Sequence, residues 1–193
     1  MVSQKEHLRE HIAYPLLYEL REAPLGRRTL VERTGLTESV VRTELEKLEA
    51  HRWVKFSKRG TALTPRGKRR FESCWKRLLS VQEIRLERLM LDRVGYGAHV
   101  RGLNGEIRSW LYRDHAVRLG ATATLFLTQR PTGLTLTDET TPLEKRSPRD
   151  AQELQKHFPK LRSGDLLIIG FGPERGRALQ GLWAILCALV EKS

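Results

Sequence analysis

Only two cysteines occur in the 193 residues, Cys74 and Cys187, and they stand far apart. Neither belongs to a C-x-x-C pair, which excludes a zinc finger or ribbon and the disulfide framework of a small secreted scaffold. Each falls in an apolar helical pattern, where a thiol is expected to be buried as a small hydrophobe. Long apolar runs are missing too. The longest, Leu182 to Val190, is far too short to span a bilayer, and the polar opening MVSQKEHLREH lacks the apolar core of a signal. The expectation is a cytoplasmic protein without a membrane partner. Acids are scarce: 23 Asp+Glu stand against 35 Lys+Arg, for a net charge of +12 and an isoelectric point near 10.2. Such a balance favours a polyanionic partner. It is sharpest over residues 51–77, where the basic residues face one acid, Glu72.

What is present centres on TGLTESVVRTELEKLEAHR, residues 34–52. Gly35 supplies the positive φ of a tight turn, Thr37 is placed as N-cap, and Glu38 suits the positive end of a helix. Val41, Leu45 and Leu48 recur at four and three, so one face is buried while Ser39, Arg42, Thr43 and Glu46 point away. A short helix over 27–33 precedes the turn. Helix, glycine turn and capped helix form a helix-turn-helix, whose second helix enters the major groove.

The preceding segment, residues 4–23, repeats leucine and isoleucine at helical spacing, with Pro15 expected to kink the helix or mark its start. It contains His7-Leu8-Arg9-Glu10-His11, a formal match to an inverted zinc-peptidase motif. Charged neighbours and the terminal position favour a solvated helix face. After the helix-turn-helix, Trp53 to Lys58 alternates as a half-buried strand, Arg59-Gly60 turns, and Thr61 to Thr64 returns. Thr64-Pro65 reads as N-cap and first position of a helix opening with Arg66, Lys68 and Arg69. A basic-tipped hairpin in this place is a wing, set against the plainer reading of a solvated basic edge.

The stretch LTESVVRTELEKLEAHRWVKFSKRGTALTPRG, residues 36–67, resembles winged-helix transcription regulators of the MarR/PadR-like kind. One departure is His51-Arg52, where many relatives place a glycine before the strand. The resemblance implies a DNA-contacting set of Thr37, Ser39, Arg42, Thr43, Lys47, Lys58, Arg59, Arg66, Lys68 and Arg69.

Residues 66–93 carry stripes of apolar residues that predict one long connecting helix, suited either to pairing with the same helix of a second subunit or to packing on both domains as an intramolecular linker. Val94-Gly95-Tyr96-Gly97 breaks the pattern. Beyond it the order reads β-α-β-β-α-β-α, that of a small α+β, ferredoxin-like domain with an added helix. The expected organisation is a DNA-binding domain over 1–70, a connecting and dimerising helix over 71–94, and a sensing or assembly domain over 95–193. On the helix at 106–119, Asp114 falls among Ile107, Trp110, Leu111 and Val117. Such a carboxylate pairs with Arg118 or Arg113 at a rim, or anchors a ligand. The glycines of 170–176 read as a tight strand-to-helix connection. The segments LYRDHAVRLGATATLFL, GDLLIIGFG and RALQGLWAILCALV resemble the C-terminal domain of archaeal two-domain regulators, which implies a small-molecule effector near Arg113, Asp114 and Arg118.

No nucleophile–base constellation stands out, so the expectation is no enzyme and no cofactor. The chain reads as a homodimeric transcription regulator of double-stranded DNA. The alternative is a non-sequence-specific architectural or RNA-binding protein.

Overall fold

A computed structural model describes residues 9–102 and 109–190. The chain divides into two compact units at the junction of Lys76 and Arg77. The first holds α1 (Glu10–Glu19), α2 (Arg27–Thr34), α3 (Glu38–Ala50), the strands β1 (Val54–Ser57) and β2 (Gly60–Leu63), and α4 (Pro65–Trp75). Its core is made of Leu16, Leu17, Leu30, Val41, Leu45, Leu48 and Val54, each under 3% exposed. Trp75 closes it, edge-on to Tyr14 at 5.1 Å. Pro15 lies inside α1 and does not start it.

Local chemistry sets each boundary in this unit. Gly35 takes φ 65° and its amide bonds Val31 O, so α2 ends in the left-handed cap the sequence predicts. Thr64 caps α4, accepting from Gly67 N at 3.0 Å, with Pro65 at the first helical position. Leu25 pairs with Thr61 and adds a third short edge to the hairpin.

The corner before β1 carries a measurable cost. Arg52 is the only residue other than glycine with positive φ among the described residues, at 60°. It occupies the left-handed position after α3, with Trp53 N bonded to Leu48 O at 2.9 Å. A side chain there costs about 1 kcal/mol or slightly more, partly offset because glycine frees the unfolded chain. Arg52→Gly is therefore expected to raise stability by roughly 0.5 kcal/mol, read as a higher denaturation midpoint. A lowered midpoint would mean that the arginine side chain holds the corner.

The second unit holds β3 (Leu78–Ile84), β4 (Val94–Val100), α5 (Ser109–Arg118), β5 (Ala123–Arg130), β6 (Gly133–Leu136), α6 (Leu143–Arg146), α7 (Pro148–His157), β7 (Leu166–Gly172) and α8 (Arg175–Val190). The five strands form one sheet in the order β3-β4-β7-β5-β6, and every neighbouring pair is antiparallel. Strand alternation divides the side chains of β7 between two layers. Leu167, Ile169 and Phe171 join Ile84, Leu127, Leu134, Leu154 and Phe158 in one buried cluster with α6 and α7. On the other side α8 lies so close that a Cβ at Gly172 would come 2.8 Å from Ala178 N. The glycines of this connection thus serve helix–sheet approach, as expected for a tight strand-to-helix turn.

The structure corrects three expectations here. The long helix over 66–93, and with it the dimerising helix over 71–94, is not formed. The helix ends at Trp75, and residues 78–84 are the edge strand β3, paired with β4 from Leu78↔Val100 to Ile84↔Gly95. An apolar stripe of this length fits both a helix and an alternating strand, and pairing with β4 decides it. Residues 85–93 wrap instead around Asp150, whose carboxylate accepts Arg88 N at 3.1 Å and Leu89 N at 3.0 Å. Secondly, the element order is that expected of a ferredoxin-like domain but the strand order is not. There the last strand lies at an edge beside the first; here β7 sits in the centre, between β4 and β5. Thirdly, the short helix α6 is added to that element order between β6 and α7.

Candidate nucleic-acid interface

On α3, burial of Val41, Leu45 and Leu48 leaves Ser39, Arg42, Thr43 and Glu46 exposed on the outer face. Thr37 stands at the N-cap position, but its hydroxyl makes no cap bond and lies 3.2 Å from the Ser39 hydroxyl. The first turn of α3 thus presents two hydroxyls and free backbone amides, a suitable arrangement for a phosphate oxygen. Glu38 stands beside it, 3.9 Å from Arg27 Nη1.

The hairpin is closed by Lys58 and Arg59, both exposed. Ser57 Oγ shapes this tip, donating to Gly60 O at 2.9 Å and accepting from Arg59 N at 3.2 Å. Arg66, Lys68 and Arg69 are exposed on the first turns of α4. They follow the base of β2, one strand length from the tip, so the hairpin carries basic groups at both ends. Lys68 Nζ lies 3.9 Å from Glu72, a loose i,i+4 pair.

Lys47 does not belong to this surface. Its ammonium lies 3.5 Å from Glu44 Oε2 and its side chain is 18% exposed. Glu44 is fully buried and also accepts Arg9 N at 3.0 Å, tying α3 to the start of α1. A buried carboxylate needs such partners, and Lys47 is one of them.

Two residues of the surface escaped the sequence reading. Phe56 is 47% exposed, because the hairpin carries it beyond the core that covers Val54. Arg27 opens α2. Both line a cleft of about 250 Å³ with Arg42, Leu45, Glu46 and Thr61. The signal for Phe56 was its position beside the basic tip; strand alternation alone made it a core residue.

Arg113, Asp114 and Arg118 sit elsewhere. All three are exposed on α5, whose buried residues are Tyr112 and Ala116. The apolar stripe proposed for this helix is thus corrected: Trp110 and Val117 are 61% and 50% exposed, and Asp114 lies with them on the outer face. Among the described residues no ion pair joins Asp114 to either arginine. Ile107 lies outside the described residues.

The remaining polar groups of interest are structural. His99 Nε2 and Asp165 Oδ2 are 2.8 Å apart, and both side chains are nearly inaccessible. Burial alone would raise the Asp165 pKa, but hydrogen bonds from His99 and from the Arg162 and Gly102 amides hold it below 3.8. Cys187 is buried, while Cys74 is half-buried, its sulfur accepting from Tyr14 OH at 3.5 Å. Glu10 and His11 open α1; burial beside Arg9 lowers the His11 pKa, and His7 lies outside the described residues. Arg175, at the start of α8, is paired with Glu83 at 3.0 Å. Among the described residues no helix is long and apolar enough to cross a membrane.

A glycine turn between two helices, a polar outer face on the second and a basic-tipped hairpin after it describe a DNA-binding head. Residues 14–77 match the family described as the CggR N-terminal DNA binding domain. The chain is thus a two-domain DNA-binding protein. Residues 91–189 match the family described as a domain of unknown function, DUF4443, and the chain belongs to that family. Its fold is shared with the solved structure titled hypothetical protein PH0730 from Pyrococcus horikoshii OT3. The TM-score is 0.79 at 24% identity, over 97% of this chain and 95% of that one. No curated protein matches the chain.

Proposed function

We propose that the protein is a transcription regulator that reads duplex DNA with a winged helix-turn-helix. In this reading α3 enters the major groove and Ser39, Arg42 and Thr43 meet base edges. Lys58 and Arg59 of the wing, with Arg66, Lys68 and Arg69, bind phosphates and set the register. The observation that carries it is the exposed face of α3 standing beside the basic hairpin in a unit whose sequence matches a DNA-binding domain. The protein acts as a homodimer, so two copies of α3 address two half-sites. Its second unit tunes binding through assembly, a role that needs no catalytic group or cofactor. An effector held at the exposed Arg113, Asp114 and Arg118 would act only by favouring one assembly state.

Arg42→Ala is expected to relax discrimination between sites by about 1–3 kcal/mol, the worth of a bidentate guanine contact. Competition binding with cognate and scrambled duplexes checks this. Equal weakening on both would reduce Arg42 to a phosphate contact. Replacing Lys58 and Arg59 together by alanine is expected to lower the slope of log affinity against log salt by about 1.8, or about 0.9 per lost phosphate contact. An unchanged slope would remove the hairpin from the interface. Random duplex competing as well as any selected site would favour the architectural reading.

A further inference from the structure

We infer that the outer face of α5 is the surface through which two copies of this chain associate. Trp110 and Val117 are the two most exposed large apolar side chains among the described residues, at 61% and 50%. Both lie on this one helix. At about 100° per residue they fall within about 20° of each other, and Asp114 lies about 40° from Trp110 on one side. Arg113 flanks the stripe on the opposite side and Arg118 lies beyond Asp114. The buried residues Tyr112 and Ala116 face the other way, toward α8 and β5, where the Tyr112 ring lies tilted against Phe126 with centroids 6.3 Å apart.

The charges of this face complement a second copy of it. Among the described residues Arg113, Asp114 and Arg118 make no ion pair within the chain. If two α5 helices pack in parallel about a two-fold axis, the side of the stripe bearing Asp114 meets the side bearing Arg113 on the partner. Packed antiparallel so that Trp110 covers Val117 of the second copy, the helices would set Asp114 opposite its own symmetry mate, so the charges favour the parallel sense. In that sense the two-fold axis forms the Asp114–Arg113 pair twice, once for each copy, and an apolar centre of Trp110 and Val117 is covered. A two-fold interface requires such self-complementarity, and an exposed tryptophan ringed by charge is a common energetic anchor. One short helix face is small for an interface, so the association is expected to be weak, with a dissociation constant on the order of micromolar. The inference deepens the regulator reading by placing its dimer contact, but its geometry does not depend on DNA.

Analytical ultracentrifugation of the full chain tests it. The native protein is expected to show a concentration-dependent monomer–dimer equilibrium, and Trp110→Glu is expected to weaken it more than tenfold. Because Trp110 is exposed, the variant should keep the native circular dichroism spectrum. Asp114→Arg alone, and Arg113→Asp with Arg118→Asp, should each self-associate poorly, whereas an equimolar mixture of the two should recover association. A native chain that stays monomeric at about 100 µM, a Trp110→Glu variant that dimerises like the native chain, or a mixture that fails to recover would each overturn the proposal. The regulator reading is scored separately, by binding of the monomeric Trp110→Glu variant to a single half-site. Retained binding with lost dimerisation is the expected pattern.

Discussion

Asp150→Ala is expected to destabilise the second unit by about 3–5 kcal/mol, a large share of what holds a domain of this size. The buried carboxylate accepts the Glu87, Arg88 and Leu89 amides and the Ser147 hydroxyl. Hydrogen bonds to a charged group are individually strong, and alanine leaves all four donors without it. Glu87 and Arg88 are exposed, so water recovers part of the loss. Urea unfolding of the full chain, with hydrogen exchange followed over residues 85–93, reads the effect. A loss under about 1 kcal/mol would show that the exposed Arg149–Glu87 pair and the Arg88 bond to Arg146 O hold this segment instead.

The same residue sets an acid limit. Burial by itself would raise the Asp150 pKa, but its four donors hold it below 3.8. A group depressed in the folded state contributes stability above its unfolded pKa, and that contribution disappears as pH falls from 3.8 toward the folded value. Asp165 acts in the same direction. The native chain should therefore lose stability steeply below about pH 4, and Asp150→Asn should flatten that limb while lowering the neutral plateau. An acid limb unchanged in the variant would assign the loss to other carboxylates.

Gly67→Ala should damage the first unit by about 3 kcal/mol, at the upper end of overpacking costs. A Cβ at Gly67 would come 2.0 Å from the carbonyl oxygen of Trp53 and 2.7 Å from its carbon. Neither neighbour can yield cheaply, because both are backbone. Trp53 O also accepts the Thr64 amide at 2.9 Å and the Thr64 hydroxyl at 3.2 Å, so displacing α4 breaks the corner that seats the hairpin. Affinity for DNA should fall with stability, while Arg42→Ala should change selectivity and leave the denaturation midpoint in place. If Gly67→Ala binds DNA and unfolds like the native chain, the corner is not what positions the hairpin.

The first unit was legible because its signals are local. Gly35, Thr64-Pro65 and the leucines of α3 each fix a turn, a cap or a face within a few residues, and the structure places all three as read. Arg52 shows that the missing glycine did not open the corner; the chain accepts left-handed strain there. The second unit was less legible because its decisions are made at a distance. Leu78 to Ile84 became a strand by pairing with residues 94–100, and 85–93 became a wrapped loop by reaching Asp150 about sixty residues away. Neither partner can be read from the segment itself. Among candidate site residues, Lys47 was lost to Glu44, whose burial under α1 no local pattern announces. Asp114 was misplaced because Trp110 and Val117 looked like core and are surface.

Selection of bound sequences from random duplex DNA by the full chain tests the central claim most directly. The account predicts enrichment of one short motif, repeated with two-fold symmetry about one helical turn apart, and loss of preference at a single base pair of each half-site when Arg42 is alanine. Recovery of sequences no different from the starting pool, with Arg42→Ala indistinguishable from the native chain, would contradict it.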